Sequence, residues 1–208
     1  QWRQPLNTLG LIIQELPSFY EQGMFTKQYL DESVSRAMQV INYMSQTIDG
    51  FRNFFGPEKE NQQFLAATVL EQTLAILQAA FAAAKITFDV EADPHAEIFG
   101  SPNEYSQVLV NILMNAKDAL LERKIAEPTI FVRLRRQHGK TALSIEDNAG
   151  GIPADIIEKV FDPYFTTKGP DKGTGIGLFM SKTIVEKNMK GTLTVSNTEQ
   201  GARFCIEV

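Results

Sequence analysis

The chain has 208 residues and a mass of 23.3 kDa, room for one large domain or two small ones with a core of useful size. Its 20 Lys and Arg stand against 25 Asp and Glu, giving a net charge of −5 and a pI near 5.2. That balance argues against a phosphate-backbone partner, so no nucleic acid is expected.

From the start of the chain, Leu6, Leu9, Ile13, Leu16 and Tyr20 alternate steps of three and four, the mark of a helix with one apolar stripe. Pro5 and Pro17 each remove a backbone donor, so a kink or break is expected there. Gly23 and its polar neighbours supply a turn. A second helix, about Thr26 to Phe55, carries Leu30, Val34, Ala37, Ile41, Met44, Ile48, Phe51 and Phe55 as an unbroken heptad seam. At 1.5 Å per residue it is roughly 45 Å long, too slender a hairpin to hide its own seam. Pairing with a second copy is expected; packing on a neighbouring domain is the alternative.

Gly56, Pro57 and the charged run to Glu60 mark a linker, set at 57–63, and the pattern then changes. Leu70, Leu74, Leu77 and Phe81 recur at helical spacing, and the alternating Ile86, Phe88 and Val90 read as a strand. The stretch from Phe64 to Ala84 is the most apolar in the chain. Thr68, Glu71, Gln72, Thr73 and Gln78 interrupt it, so no membrane contact is expected. Ser101-Pro102 has the form of an N-cap followed by a first-turn proline, opening a helix to about Arg123. Two strands holding Ile130, Val132, Leu134 and Leu143, Ile145 join through His138-Gly139. A short helix after Pro153, a glycine-rich segment, a helix from about Gly175 to Lys187 and strands Thr192–Ser196 and Ala202–Val208 complete the chain. Residues 64–208 therefore read as α+β, a mixed sheet covered by helices, after a helical hairpin over 1–56. Cys205 stands alone, forms no internal disulfide and fits no zinc spacing, which suits a reducing cytoplasm.

Four blocks carry chemistry. Asn111 and Asn115 lie one helical turn apart on one face, which needs polar partners if buried and is often no more than a pair of satisfied core amides. Asp147-Asn148-Ala149-Gly150-Gly151-Ile152 follows a strand: a carboxylate able to accept from an amine, then glycines that admit a flat ring, though a hairpin turn reads the same way. Phe161-Asp162-Pro163-Tyr164-Phe165-Thr166-Thr167-Lys168 comes next. Gly173-Thr174-Gly175-Ile176-Gly177-Leu178 then opens a helix, whose free N–H groups and dipole favour phosphate.

In this order the blocks resemble the N, G1, F and G2 boxes of the catalytic, ATP-binding domain of sensor histidine kinases, in the superfamily shared with gyrase, mismatch-repair proteins and heat-shock chaperone ATPases. The resemblance covers residues 64–208, and residues 1–56 resemble the dimerisation and histidine-phosphotransfer hairpin that precedes this domain. It implies ATP and Mg²⁺ as cofactors, with Asn115 the metal's amide ligand, Asn111 its support and Asp118 beside them. Asp147 would read the adenine amino group, with Gly151 and Ile152 at the base. Gly173, Thr174, Gly175, Ile176, Gly177 and Leu178 would cap the triphosphate, beside Thr166, Thr167, Lys168 and Lys172 in a lid, although those lysines also suit ordinary loop charges. Asp118 stands where the family often has lysine, Lys117 lies about 100° round the helix, Ala149 replaces the first G1 glycine, and Ala202 a frequent threonine.

The family's phosphoacceptor histidine precedes a proline by five residues, so Pro5 sets it immediately before Gln1, outside this chain. His95 and His138 match no such box. Gln4 falls where relatives hold a Thr or Asn thought to orient the water that dephosphorylates the regulator; an exposed helix residue is the plainer reading. The implied function is γ-phosphoryl transfer to that histidine and on to the receiver domain of a response regulator, in a homodimer. The rivals are a hydrolytic ATPase of the superfamily, a degenerate dimer scaffold and a serine kinase of the anti-sigma type.

Overall fold

The computed structural model describes residues 3–54, 61–137, 139–168 and 173–208. The chain divides into two compact units, Gln1–Gly56 with Thr166–Ile176, and Pro57–Phe165 with Gly177–Val208.

In the first unit, α1 (Arg3–Glu21) and α2 (Lys27–Phe54) form the expected hairpin, turning at Gly23 with φ +69°. The break expected at the prolines does not occur. Pro5 sits in the first turn of α1, where the N–H has no helical partner, and α1 runs continuously through Pro17. Ile12 and Ser33 are buried, and Leu9, Leu16, Phe19, Tyr29, Ala37 and Val40 are half-buried. The rings of Phe19 and Tyr29 stack with centroids 4.2 Å apart. A second stripe remains exposed: Leu6, Ile13 and Tyr20 on α1, and Leu30, Val34 and Ile41 on α2. The heptad seam of α2 is thus shared between two faces, with Ala37 on the more enclosed one. Side chains beyond Ile41 in α2, and Phe55, lie outside the described residues.

The second unit is a one-sided sandwich. Its strands are β1 (Gln62–Leu65), β2 (Thr87–Ala92), β3 (Glu97–Gly100), β4 (Thr129–Gln137), β5 (Lys140–Asp147), β6 (Thr192–Asn197) and β7 (Ala202–Glu207); its helices are α3 (Ala66–Ala83), α4 (Pro102–Glu122) and α5 (Gly177–Thr183). The five-stranded sheet runs β2-β4-β5-β7-β6, antiparallel except for the parallel pair β2–β4. Gln62 and Gln63, inside the linker expected over 57–63, belong to β1, which pairs with β3 in a separate ribbon.

Local rules account for α4 well. Ser101 caps it by accepting from the Glu104 N–H at 3.4 Å, and Pro102 occupies the first turn. Its inward face (Val108, Leu109, Ile112, Leu113, Leu120) packs on Ile130, Val132, Leu134, Leu143 and Ile145, all fully buried. Each such side chain contributes about 1.5–3 kcal/mol relative to exposure. The other sheet face is polar: Arg133 pairs with Asp89 at 2.8 Å and Glu91 at 3.2 Å, and Arg203 with Glu146 at 2.6 Å. By length and composition α3 is apolar enough to cross a membrane, yet it buries Leu70 and Phe81 and packs on α4 and β2 as a core helix.

Two expected elements change form. The helix after Pro153 is a single 3₁₀ turn, Ile157–Lys159. The last helix starts at Gly177 rather than Gly175, since Gly175 has φ +64°, and it ends in a π turn, Ile184–Asn188.

Candidate functional site

Within the second unit the structure builds two anchors from these blocks. The first is α4 against the start of α5. Asn111 donates through Nδ2 to the Gly177 carbonyl at 3.3 Å and to Ser181 Oγ at 3.2 Å, while Ser181 donates to the same carbonyl at 2.9 Å. A Cβ on Gly177 would stand 3.5 Å from Asn111 Oδ1, so the third glycine of the G2 block lies directly on the first asparagine. Asn115 and Asp118 are half-buried further along α4. Lys117 points elsewhere, with Nζ 5.8 Å from the centroid of the Phe81 ring on α3, which fits its place a third of a turn from Asp118.

The second anchor is the loop after β5. Asp147, 4% exposed, ends that strand, and its Oδ1 accepts from the N–H groups of Ala149 at 2.9 Å and Ala202 at 3.3 Å. Burial pushes its carboxyl above the ordinary carboxylate range, opposed by those two backbone donors and the Arg123 guanidinium, and reinforced by Glu146. Ala149 keeps an ordinary negative φ, so the missing G1 glycine costs no strain, whereas Gly150 and Gly151 have φ +82° and +81°. Gly151 is also required sterically: a Cβ there would meet Asn197 Oδ1 at 2.7 Å. On the neighbouring hairpin a Cβ at Gly201 would overlap the Asp147 carbonyl, so these backbones meet without side chains between them.

Three residues to which the sequence reading gave no role hold this loop: Arg123, Asn197 and, within the second block itself, Asn148. Arg123, just past the end of α4, donates to the carbonyls of Ala149 and Gly151. Asn197 embraces Ile152, accepting from its N–H at 2.8 Å and donating to its carbonyl at 2.7 Å. Asn148 pins the approach to β4, accepting from the Thr129 N–H and donating to the Glu127 carbonyl, both at 2.9 Å.

Phe161 starts the third block, edge-on to Phe204 at 6.3 Å and beneath Lys182 Nζ at 4.7 Å. In the other unit, Thr166 Oγ1 accepts from the Lys168 N–H at 3.1 Å, and Thr174 Oγ1 from the Ile176 N–H at 3.4 Å. Gly173 lies against Thr166 and Lys168, with no room for a Cβ. Thr167 is exposed, Ile176 is buried and Leu178 half-buried in the first turn of α5; Lys172 and His138 lie outside the described residues. His95 is exposed between β2 and β3, its N–H on Asp93 Oδ1 at 2.9 Å.

Such a site suits a nucleotide. A buried carboxylate is oriented by backbone donors at the end of β5, the glycines after it leave their Cβ places to Arg123 and Asn197, and the start of α5 meets an asparagine. Among the described residues no three His, Cys, Asp or Glu side chains gather to hold a metal by themselves. Mg²⁺ asks for less: it retains waters and takes one or two protein oxygens together with phosphate.

Residues 100–208 match the family described as Histidine kinase-, DNA gyrase B-, and HSP90-like ATPase. The two-component sensor PprA of Pseudomonas aeruginosa is 40% identical over 116 residues, 52% of this chain and 12% of PprA. The signal transduction histidine-protein kinase AtoS of Escherichia coli is 33% identical over 178 residues, 84% of this chain and 28% of AtoS, so the chain spans a minor part of these relatives. Among solved structures, Acinetobacter baumannii histidine kinase AdeS has a TM-score of 0.69 at 18% identity, covering 100% of this chain and 95% of that one. The histidine kinase ThkA, in complex with the response regulator TrrA, gives a TM-score of 0.68 at 21% identity over 99% of this chain and 57% of that one. With the family matched from Gly100 through both anchors to Val208, the chain belongs to the histidine kinase, DNA gyrase B and HSP90-like ATPases.

Proposed function

We propose that the chain is the catalytic core of a two-component sensor histidine kinase, working in a reducing cytoplasm. It binds ATP with Mg²⁺ and passes the γ-phosphoryl group to a histidine, from which it moves to an aspartate on a response-regulator receiver domain. The observation that carries this reading is the buried Asp147, its Oδ1 held by two backbone donors at the head of the glycine loop that Arg123 and Asn197 fasten. In that reading Asp147 accepts from the adenine amine. Asn115 offers its amide oxygen to Mg²⁺, which neutralises phosphate charge when bound. Asn111 braces the start of α5, whose N–H groups receive phosphate oxygens, and Thr166, Thr167, Lys168 and Lys172 are the further phosphate-binding residues that the family resemblance implies. The AtoS and PprA names and the ThkA complex support the kinase and regulator assignments.

Asn111 also weighs against the hydrolytic rival. Those ATPases carry a glutamate there as the base for water, whereas this amide takes no proton and its nitrogen is already committed to Gly177 and Ser181. Calorimetry should therefore find Mg²⁺-dependent binding of ATP and ADP by the 208-residue chain; no heat at millimolar ATP would reject the nucleotide reading.

For the hairpin, the proposal is a homodimer through the exposed stripe of Leu6, Ile13, Tyr20, Leu30, Val34 and Ile41. Ile41→Asp places a carboxylate in that seam, where burial without a partner costs several kcal/mol, and should yield monomer by light scattering. A wild-type chain that is monomeric at high concentration would refute the dimer. Gln4, in the first turn of α1, is the position proposed to act in regulator dephosphorylation.

A further inference from the structure

Arg123 stands at the junction of the two anchors. It follows α4, the helix carrying Asn111 and Asn115, and its guanidinium reaches across to the loop after β5. Nη1 donates to the Ala149 carbonyl, and Nη2 to the Gly151 carbonyl at 2.7 Å. A rigid planar fork spans two acceptors at fixed separation, which a lysine ammonium on a flexible stem does not. Gly150 lies between the two carbonyls at φ +82°, and a Cβ there would come within 2.9 Å of Nη1, so the fork sits where a side chain would otherwise project.

With its carbonyls braced from one side, the loop is held by its amides from the other. The Gly150 N–H donates to the Gln200 carbonyl at 2.8 Å, and the Ile152 N–H to Asn197 Oδ1 at 2.8 Å. Ala149 is the link to chemistry: its carbonyl is gripped by Arg123 and its N–H by Asp147 Oδ1 at 2.9 Å. Any tilt of the residue that Arg123 resists would move the donor that orients the carboxylate.

We propose that Arg123 is a positioning residue for base recognition, which sets the angle at which Asp147 meets an exocyclic amine and thereby the selectivity for adenine. The inference rests on the nucleotide reading above. Arg123 also favours the ionised carboxylate, while Glu146, on the same strand as Asp147, opposes it.

The test uses the 208-residue chain with ATP and with purine riboside triphosphate, which lacks the 6-amino group. Arg123→Ala should weaken ATP binding by about tenfold, the worth of one charge-assisted hydrogen bond made well or badly, and leave the analogue within about twofold. Arg123→Lys, able to reach one carbonyl but not brace two, should recover only part of the loss. The pH at which ATP affinity falls on acidification should rise in Arg123→Ala, because Asp147 loses its cation and takes up a proton sooner. Equal losses for both nucleotides, or no loss for either, would overturn the proposal, making the contact structural alone. Wild-type chain that binds neither nucleotide would instead reject the nucleotide reading. If Arg123→Ala does not fold, the ratio of ATP to analogue losses in Arg123→Lys decides by the same criterion.

Discussion

Replacing Asp147 by asparagine is expected to lower ATP affinity by about 10²-fold while leaving the fold intact. The two side chains have the same shape, and the asparagine oxygen keeps the bonds from Ala149 and Ala202. In the proposed nucleotide site that orientation turns Nδ2 toward the base, so that an N–H donor would meet the donor amine of adenine. A charge-assisted hydrogen bond of about 1.5–3 kcal/mol is lost, and two donors are left opposed. Guanine presents an acceptor at the same edge, so preference for ATP over GTP should shrink or reverse. The folded state holds this carboxyl above its usual range, which means that its ionised form is disfavoured by folding; at neutral pH the neutral amide should unfold at the same or higher urea concentration. Calorimetry with ATP and GTP, beside a urea curve, checks both halves. Unchanged ATP affinity in a folded Asp147→Asn chain would remove the loop after β5 from base recognition.

The second large effect is all or none. Incubated with Mg²⁺ and labelled ATP, the 208-residue chain should acquire no phosphate. Phosphoryl transfer is chiefly a matter of positioning and charge stabilisation, so it needs an acceptor in line with the γ-phosphate. The chain holds two histidines, His95 and His138, and neither lies in one of the four blocks. His95 is placed in the connection from β2 to β3, tied by its backbone to Asp93. Extending the chain upstream by a helix with histidine immediately before Gln1 should produce label that is lost in acid and kept in alkali, as a phosphoramidate behaves. Acid-labile label on the unextended chain, mapped to His95 or His138, would overturn the assignment of the acceptor.

What could be read in advance was local. Ser101 and Pro102 announce α4 because capping is decided within four residues, and the asparagine pair follows from helical spacing alone. The ribbon of β1 and β3 was not legible: each strand has four residues, and they find each other across more than thirty. Pro17 argued for a break that does not occur: α1 runs on through it, and Phe19, two residues later, stacks on Tyr29. Heptad spacing marked the apolar residues of α2 but not their division between two faces, because an inner stripe and an outer one share a period. In the site, Asp147 and the glycines were visible as a motif. Arg123 and Asn197 were not, because they act on backbone atoms 26 to 45 residues away, and no spacing encodes a partner that is a peptide group.

The fastening of the loop after β5 has a consequence for how the protein is made. Asp147 Oδ1 waits for the Ala202 N–H, 55 residues later, and Ile152 for Asn197, 45 residues later. At roughly 5–20 residues per second, a ribosome delivers Ala202 about 3–11 s after Asp147. For those seconds β4 and β5 can already pair, since Gln137 and Lys140 are register partners, while the carboxylate at the end of β5 still lacks one of its two donors. Nucleotide therefore cannot template the early folding of this domain, and a nascent chain halted before the β6–β7 hairpin emerges should hold a formed β4–β5 pair with no affinity for ATP.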